Sequence, residues 1–513
     1  MTIERANEHR YLSAGGHPQC LTAMKQCDKP GSFVKPLVRP PPDFARQVWL
    51  QMATRSFRIP AGAMHQICRL MAARLSDWRT FVVALCTAAA FAARAGELRV
   101  GGGRVSVTTP VAEFPYLPSD TPSLNTGPGE RRFTGVHDEV YARALLIDDG
   151  VQRVALIALE VTAVPRADEI TQAVAQQLGI SSDNVMVTAT HTHSVPLFSY
   201  SGGVSNPREE REIQRLKQGA VQAARQAAVS LQPARIAFAR GQAWVNVNNG
   251  EQSGSKTGYD PLGPSDKSLD VLRFTSPEGE PIALLLNYAS HAEVMFRSVT
   301  HNEGYEVTGD LPGAVSRLLE ASEAGAPLVL FTSGAEGDQL TLFKSLQPAG
   351  RLPATDEGAA GWALLDVQAR RLAGSVLELT ATMPGGESHA RVAARTGSVT
   401  CPGEQLRLNP KTGAALIEDR PAITIPLSLI RINDIALAGV GGDVASEIGQ
   451  HFKAASPLAA STLITLAGES VGYIFADASY EHPGHGLTKS PLKPHCADRA
   501  IVEGLVRLIE GTH

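Results

Sequence analysis

Short apolar runs rich in β-branched residues alternate along this chain with longer stretches of helical periodicity, and this alternation most constrains its fold. Residues 184–189 and 282–288 have the length and composition of buried strands. Residues 166–177 and 207–231 carry apolar side chains at helical spacing, and Gly179 follows the first of them as a helix-ending residue. Chains in which strands and helices alternate form α/β folds. We therefore predict an α/β protein with mixed β-sheets flanked by helices.

Composition and charge narrow the function classes. The chain has 513 residues, of which 43% are hydrophobic and 19% charged, as in an ordinary globular protein. Its net charge of −4 provides no basis for binding nucleic acid or an anionic membrane surface. No nucleic-acid partner is therefore expected, and the oligomeric state stays open.

Residues 71–95 have the pattern of a secretory signal peptide. A basic stretch begins at Met71, an apolar run covers residues 81–93, and Ala93 and Ala95 provide the small side chains that a signal peptidase requires. The apolar run is shorter than the roughly 20 residues of a transmembrane helix. The alternatives are a buried helix or a membrane anchor.

This pattern predicts three parts of the chain. Residues 1–70 are expected to be a non-native or disordered upstream extension, residues 71–95 a signal peptide starting at Met71, and residues 96–513 the mature domain. The mature chain is then secreted or periplasmic and has no transmembrane segment. Of the six cysteines, only Cys401 and Cys496 remain after processing. They can form one disulfide in an oxidising compartment, although a free pair is also compatible with the sequence.

Polar, chemically useful side chains follow three of the predicted strands. His191 and His193 come after the strand at residues 184–189, His291 follows the next buried strand, and Asp443 follows a third. Residues i and i+2 of a strand point to the same face, so both histidines of the first pair can reach one cavity. Imidazoles with a carboxylate suit a divalent transition metal, most often zinc. The spacing alone leaves ordinary core or surface roles for these histidines open.

The segment at residues 190–196, Thr-His-Thr-His-Ser-Val-Pro, resembles the T-H-T-H-S-x-P motif of the neutral/alkaline ceramidase family. Further segments resemble the family in the same order: Gly135-Val136-His137-Asp138, Ala289-Ser290-His291, residues 331–338, Val440-Gly441-Gly442-Asp443, and Gly472-Tyr473-Ile474. The resemblance covers about residues 98 to 510, with gaps. It implies a ceramidase-like hydrolase domain at residues 96–513 and a small-molecule or lipid-like substrate.

The resemblance also implies a zinc site. Carried over position by position, the metal ligands are His191, His291, Asp443 and Tyr473, and His193 faces the substrate as a hydrogen-bond donor or proton carrier. Asp443 stands where the family has a glutamate, which moves the metal or the loop by about one methylene. Two alternatives remain, since His193 can instead be a partner of His191 without a catalytic part, and Tyr473 can be a core aromatic residue.

Three departures from the family concern the substrate. The family serine of the G-D-x-S-P turn is replaced, because the segment here reads Gly337-Asp338-Gln339-Leu340-Thr341. Asp338 is retained and is a catalytic candidate, with an ordinary turn residue as its alternative. The arginine of the family's N-R-S-P loop has no counterpart near residues 247–250, and no C-terminal immunoglobulin-like domain is expected within the 513 residues.

The resemblance implies a zinc-dependent hydrolase of an amide or related carbonyl bond. The departures predict that its substrate is not ceramide. An esterase or lactonase that uses the same metal site is the first alternative. A non-catalytic member of the family that binds a ligand is the second, and Leu340 in place of the serine favours it.

Overall fold

The structure is a computed structural model. It describes residues 96–115, 132–196, 207–250, 259–322, 327–345, 358–408, 415–481 and 486–512. All of them lie in the compact unit Ala90–His513. Among these residues, no helix is both long enough and apolar enough to cross a membrane. The extension and signal peptide predicted for residues 1–95 lie outside the described residues.

The first part of the described chain forms a five-stranded sheet. Its strands are β1 (Arg99–Ser106), β2 (Tyr141–Asp148), β3 (Arg153–Leu159), β4 (Val185–Ala189) and β5 (Gln232–Pro233). Their order is β4-β3-β2-β1-β5, and only the β3–β4 pair is parallel. The helices that pack on this sheet are α1 (Ala167–Leu178) and α2 (Pro207–Val229). Strands β2 and β3 form a hairpin, with Gly150 at a φ of 82° in its turn.

Two four-stranded sheets follow along the chain. The second sheet contains β6 (Arg235–Gln242), β7 (Ser268–Thr275), β8 (Pro281–Tyr288) and β9 (Leu328–Ser333), in the order β9-β8-β7-β6. The third contains β10 (Val392–Leu408), β11 (Ala415–Ile432), β12 (Ile435–Val440) and β13 (Ala460–Ile464), in the order β10-β11-β12-β13. The β8–β9 and β12–β13 pairs are parallel. Helices α3 (Asp310–Glu320) and α4 (Gly361–Ala381) accompany the second sheet, and α5 (Ser446–Ala455) and α6 (Ala497–Glu510) accompany the third.

One apolar core is shared by all three sheets. Leu145, Leu285 and Leu437 belong to it, one from each sheet, whereas their chain neighbours Leu146 and Leu284 pack beneath the helices. Alternate side chains of a strand point to opposite faces, so each of these strands is buried on both sides. Each fully buried leucine contributes about 1.5–3 kcal/mol relative to an exposed one. This double burial explains why these strands are continuous apolar runs in the sequence, and the predicted fold class is confirmed.

The carboxyl ends of strands from all three sheets meet at one place. The Thr465 amide, just after β13, donates to the Ser333 carbonyl of β9 at 3.0 Å. The Ser333 hydroxyl in turn donates at 3.2 Å to the carbonyl of Thr190, just after β4. Segments that follow the three parallel pairs are therefore held against one another by direct hydrogen bonds.

Four short two-stranded ribbons complete the described strands. They are Gly96–Glu97 with His389–Ala390, Phe133–Val136 with Tyr305–Val307, Asn246–Asn248 with Gln339–Thr341, and Asp443–Val444 with Tyr473–Ile474. The third ribbon places Leu340 opposite Val247. The fourth aligns Asp443 with Tyr473 in a parallel pair. Both ribbons lie in segments that the sequence analysis singled out.

Some elements differ from their predicted positions. No strand is predicted at residues 392–408, yet β10 occupies them, because most of its described side chains are exposed or half-exposed and leave no apolar run in the sequence. Helix α1 begins and ends one residue later than predicted, and α2 ends at Val229, two residues earlier than predicted.

Cys401 and Cys496 form a disulfide, with their sulfur atoms 2.11 Å apart. The bond joins β10 to the residue that precedes α6 and closes a separation of 95 residues. We expect the double variant Cys401→Ser/Cys496→Ser to lose roughly 2–4 kcal/mol of unfolding free energy. Urea denaturation without reductant measures this loss. Wild-type protein treated with reductant is the control and should unfold at the same urea concentration as the variant. Equal stability of the variant and the oxidised wild type would contradict the prediction.

Candidate metal centre

Backbone hydrogen bonds orient the two histidines that follow β4 and β8. The fully buried His191 adopts a φ of 63°, which is rare outside glycine, and its Nδ1 donates to the Thr162 carbonyl at 2.6 Å. His291 Nδ1 donates to the carbonyls of Glu336 and Gln339 at 2.8 and 3.1 Å. A carbonyl that accepts a hydrogen bond from Nδ1 fixes the orientation of the imidazole ring. It also leaves Nε2 free to bind a metal. Both Nε2 atoms point toward one carboxylate, that of Asp443.

Asp443 lies between these imidazoles at the end of β12. Its Oδ2 is 3.4 Å from Nε2 of His191 and 3.5 Å from Nε2 of His291. The parallel ribbon places Tyr473 beside Asp443, and the Tyr473 hydroxyl is 3.1 Å from the same Nε2 of His291. A Cβ added at Gly337 would lie 2.7 Å from the Asp443 carbonyl oxygen, so glycine there lets the two loops approach closely. The structure thus brings together the four residues that the resemblance implied as ligands.

His193 lies at the edge of the same cluster. Its Nε2 is 3.1 Å from Nε2 of His191, and its Nδ1 is 3.5 Å from Oε1 of Glu293. Glu293 forms an ion pair with Lys344. The side chain of His193 is 12% exposed, compared with 3% or less for His191 and His291. It is therefore the histidine of this cluster that solvent or a bound molecule reaches most easily.

Asp338 lies outside this cluster of ligand atoms. Its Oδ1 accepts from the Ser446 amide at 2.8 Å and from Gln339 Nε2 at 3.0 Å. Its Oδ2 accepts from the Ser446 hydroxyl at 3.0 Å and from Asn248 Nδ2 at 3.1 Å. Burial raises the pKa of Asp338 to about 6 despite these hydrogen bonds. The carboxylate fastens the first turn of α5 to the ribbon that carries Leu340, and its catalytic role stays a prediction.

Glu336 is a candidate that the sequence analysis did not single out. It is fully buried, and one of its carboxylate oxygens lies within 4.8 Å of ligand atoms of both His191 and Asp443. The segment at residues 331–338 drew attention to this turn, but its pattern favoured Asp338 over Glu336. Which of the two carboxylates reaches the cluster depends on packing between sheets, which no local pattern records.

Neighbouring charges and burial together shift the pKa values of the residues in the cluster. Burial lowers the pKa of His191, but the Asp443 carboxylate outweighs it and holds that pKa above its ordinary value. Burial raises the pKa of Asp443, but His291 and His191 together hold it below the ordinary range. Burial and the neighbouring Asp443 charge both raise the pKa of Glu336 well above its usual value. Burial also lowers the pKa of His193 well below its usual value, although Glu293 acts in the opposite direction.

The donor set fits a divalent metal ion. Ligand atoms of His191, His193 and His291 lie within 4.8 Å of one another, as do those of His191, Glu336 and Asp443. Neither carboxylate oxygen of Asp443 has a hydrogen-bond partner within the described part of the chain, although the residue is buried. Buried carboxylates without partners are costly unless they are paired or bind a cation. Imidazole nitrogens and carboxylate oxygens are the ligands that zinc takes in proteins.

Comparison with known proteins finds a family match for the part of the chain that carries the three histidines. Residues 99–334 match the family model described as neutral/alkaline non-lysosomal ceramidase, N-terminal. Over these residues the chain is similar to the neutral/alkaline ceramidase family. His191, His193 and His291 lie within the matched segment, whereas Asp443 and Tyr473 follow it. The match supports a ceramidase-like hydrolase.

Curated relatives match part of the chain. Neutral ceramidase A of Dictyostelium discoideum is 26% identical over 246 residues, which cover 44% of this chain and 32% of that protein. Neutral ceramidase of Mycobacterium tuberculosis is 22% identical over 277 residues, which cover 49% of this chain and 41% of that protein. The matches thus span about a third to two fifths of these relatives.

A solved structure supports the fold over a longer range. Neutral ceramidase from Pseudomonas aeruginosa superposes with a TM-score of 0.61 over 80% of this chain and 74% of that chain, at 18% identity. A ceramidase complexed with C2 gives the same TM-score and coverage at 16% identity. The mixed sheets flanked by helices are therefore the catalytic-domain fold of this family.

Proposed function

We propose that this chain is a zinc-dependent hydrolase of an amide or related carbonyl bond, and that its substrate is not ceramide. The observation that carries the proposal is the convergence of His191 and His291 on Asp443, with Nε2–Oδ2 distances of 3.4 and 3.5 Å. The match to the ceramidase family model supports the hydrolase class. The convergence of two imidazoles on a carboxylate suits a metal ion, and a bound metal ion can polarise a carbonyl group.

His191, His291, Asp443 and Tyr473 are the proposed ligands. When bound, a divalent ion supplies Lewis acidity toward a carbonyl oxygen and lowers the pKa of a water molecule. The Thr162 and Glu336 carbonyls hold the two imidazole rings through Nδ1, so Nε2 of each would be free to bind such an ion. Pre-orientation of this kind reduces the reorganisation needed when the ion binds.

His193 is the proposed acid–base residue. It is the most exposed histidine of the cluster. Its Nδ1 lies 3.5 Å from Oε1 of Glu293, which forms an ion pair with Lys344. Nε2 is then the atom positioned to accept a proton from the attacking water or to donate one to the leaving group. For Asp338 we propose a positioning role, because its carboxylate holds Ser446 and Asn248 in place.

Leu340 is the reason to exclude ceramide as the substrate. By the family resemblance it occupies the position of the serine that acts at the amide. Here it is an apolar side chain, 8% exposed, in the ribbon with Val247. It can neither attack a carbonyl nor donate a hydrogen bond. The neighbouring Thr341 hydroxyl donates to the Phe343 carbonyl at 3.1 Å and so does not take over the role.

The replacement of the family serine by Leu340 also favours a second candidate function. A family member that has lost the serine can keep the fold and bind a lipid-like or glycan ligand without turnover. Esterase or lactonase activity is a third candidate, since it needs the same Lewis acid and a more reactive carbonyl. The two enzymatic candidates need the metal centre, whereas the ligand-binding member does not.

An extracellular or periplasmic location is part of the proposal. The Cys401–Cys496 disulfide supports it, because such bonds persist in oxidising compartments and are rare in the cytosol. The proposed division of the chain into an extension at residues 1–70, a signal peptide at 71–95 and a hydrolase domain at 96–513 agrees with this location. N-terminal sequencing of the secreted protein tests it, with a mature terminus before residue 70 as the contradicting result.

A substrate screen tests the proposed activity. Zinc-loaded protein is incubated with simple amides, N-acyl amino acids, esters, lactones and a short-chain ceramide. We expect turnover of an amide other than ceramide that stops when a chelator removes the metal. Ceramide as the best substrate would refute the exclusion based on Leu340. Metal-loaded protein that turns over none of these compounds would favour the ligand-binding function.

A further inference from the structure

Two buried carboxylates face each other at the centre of the site. Within the described residues, Glu336 and Asp443 are the acidic side chains with both carboxylate oxygens buried and lacking a hydrogen-bond partner. Other buried acids are satisfied differently, since Asp338 accepts four hydrogen bonds and Glu293 pairs with Lys344. Two buried carboxylates whose oxygens accept no hydrogen bond, one of which faces two imidazoles, indicate that a cation belongs among them.

The backbone explains why Glu336 reaches this position. The residue lies in the turn after β9, and its own carbonyl accepts the hydrogen bond from Nδ1 of His291 at 2.8 Å. The same peptide therefore orients a proposed ligand and delivers a carboxylate to the cluster. One Glu336 oxygen lies within 4.8 Å of ligand atoms of both His191 and Asp443. Three ligand atoms this close together are a candidate set for one ion.

We propose that Glu336 is a further metal ligand, which completes a site that the short Asp443 side chain fills incompletely. This inference rests on the proposed zinc centre. The family resemblance implies one carboxylate in the ligand set, and it is a glutamate where this chain has Asp443. Here the second carboxylate comes from a different strand end, and two carboxylates together balance the charge of a divalent ion. The rival interpretation is that Glu336 and Asp443 share a proton and that Glu336 binds no metal.

The substitution Glu336→Gln distinguishes these interpretations. It keeps the shape of the side chain and removes its charge. We expect zinc affinity, measured by competition with a chromophoric chelator, to fall by at least about tenfold. Replacement of residues that only hydrogen-bond to metal ligands already lowers metal affinity by about 10- to 100-fold, so the loss of a ligand should lower it at least as much. The visible spectrum of the cobalt-substituted protein should change as well, because one ligand is lost. Glu212→Gln is the matched control, since it removes a buried charge on α2, where Glu212 contacts Thr109 and Arg215, and should leave affinity and spectrum unchanged.

The melting temperature of the metal-free protein gives an independent readout. Gln keeps the shape of Glu336 but cannot ionise beside Asp443, so apo Glu336→Gln should be at least as stable as the apo wild type. The rise in melting temperature on adding zinc should be smaller for the variant, because the stabilisation by a bound ligand grows with the logarithm of its affinity. Wild-type affinity and an unchanged cobalt spectrum in Glu336→Gln would overturn the inference and leave the zinc centre standing. A wild-type protein that binds no zinc would overturn both.

Discussion

Replacement of Asp443 by Asn is expected to remove both the bound metal and the hydrolytic activity. The Asp443 carboxylate lies 3.4 and 3.5 Å from the two imidazoles that would share the ion with it. Asn keeps the shape but lacks the charge, so the buried cation loses its central partner. A metal Lewis acid supplies several kcal/mol of transition-state stabilisation, and about 1.4 kcal/mol is a factor of ten in rate. Activity should therefore fall by roughly a thousandfold or more, as measured by initial rates with the best substrate of the screen.

Asp338→Asn is the control for this variant. Both aspartates are 1% exposed, and both lie in loops that follow strands of the central core. Asp338, however, accepts hydrogen bonds from Ser446 and Asn248 instead of facing the histidines. The control should keep its metal, although some folding stability is lost with these hydrogen bonds. Loss of metal from Asp338→Asn together with retention by Asp443→Asn would contradict the proposed ligand set.

Replacement of His193 by Gln is expected to separate catalysis from metal binding. The variant should retain zinc, because the proposed ligands remain, while kcat falls by on the order of 10²–10⁴-fold as acid–base catalysis is lost. KM should change little by comparison. Metal analysis and steady-state kinetics on the same preparation measure both effects.

Two results would contradict this assignment of His193. Loss of zinc from His193→Gln would make the residue a ligand, which its Nε2 distance of 3.1 Å from Nε2 of His191 geometrically permits. An unchanged kcat would leave it without a catalytic part. His451→Gln serves as the control, because His451 is exposed on α5, where it contacts Asp498, and the variant should keep both metal and rate.

The parts of the site that could be predicted are those that a short segment encodes. The double burial of β8 and β4 makes each an apolar run, and the polar residue where the run stops, His291 or His191, is visible without a structure. The strand β10 was missed for the converse reason, since most of its described side chains face solvent and no apolar pattern marks it.

The parts that could not be predicted depend on contacts between distant segments. The pairing of Asp443 with Tyr473 comes from a two-residue ribbon, too short to leave a pattern. Glu336 and Asp338 lie two residues apart and both are buried, yet only Glu336 reaches the cluster while Asp338 turns toward α5. That difference is set by the packing of the second sheet against the third. The local sequence shows two carboxylates but does not indicate which of them reaches the cluster.

The metal content of the wild-type protein tests the central claim most directly. The protein is purified without chelators, incubated with zinc at neutral pH, freed of excess metal and analysed by mass spectrometry of the elements. We predict about one tightly bound zinc ion per chain, as a single site with these ligands holds. In the variant His191→Ala/His291→Ala the ion should be absent. Wild-type protein that contains no metal after this treatment, or a double variant that retains the ion, would contradict the account.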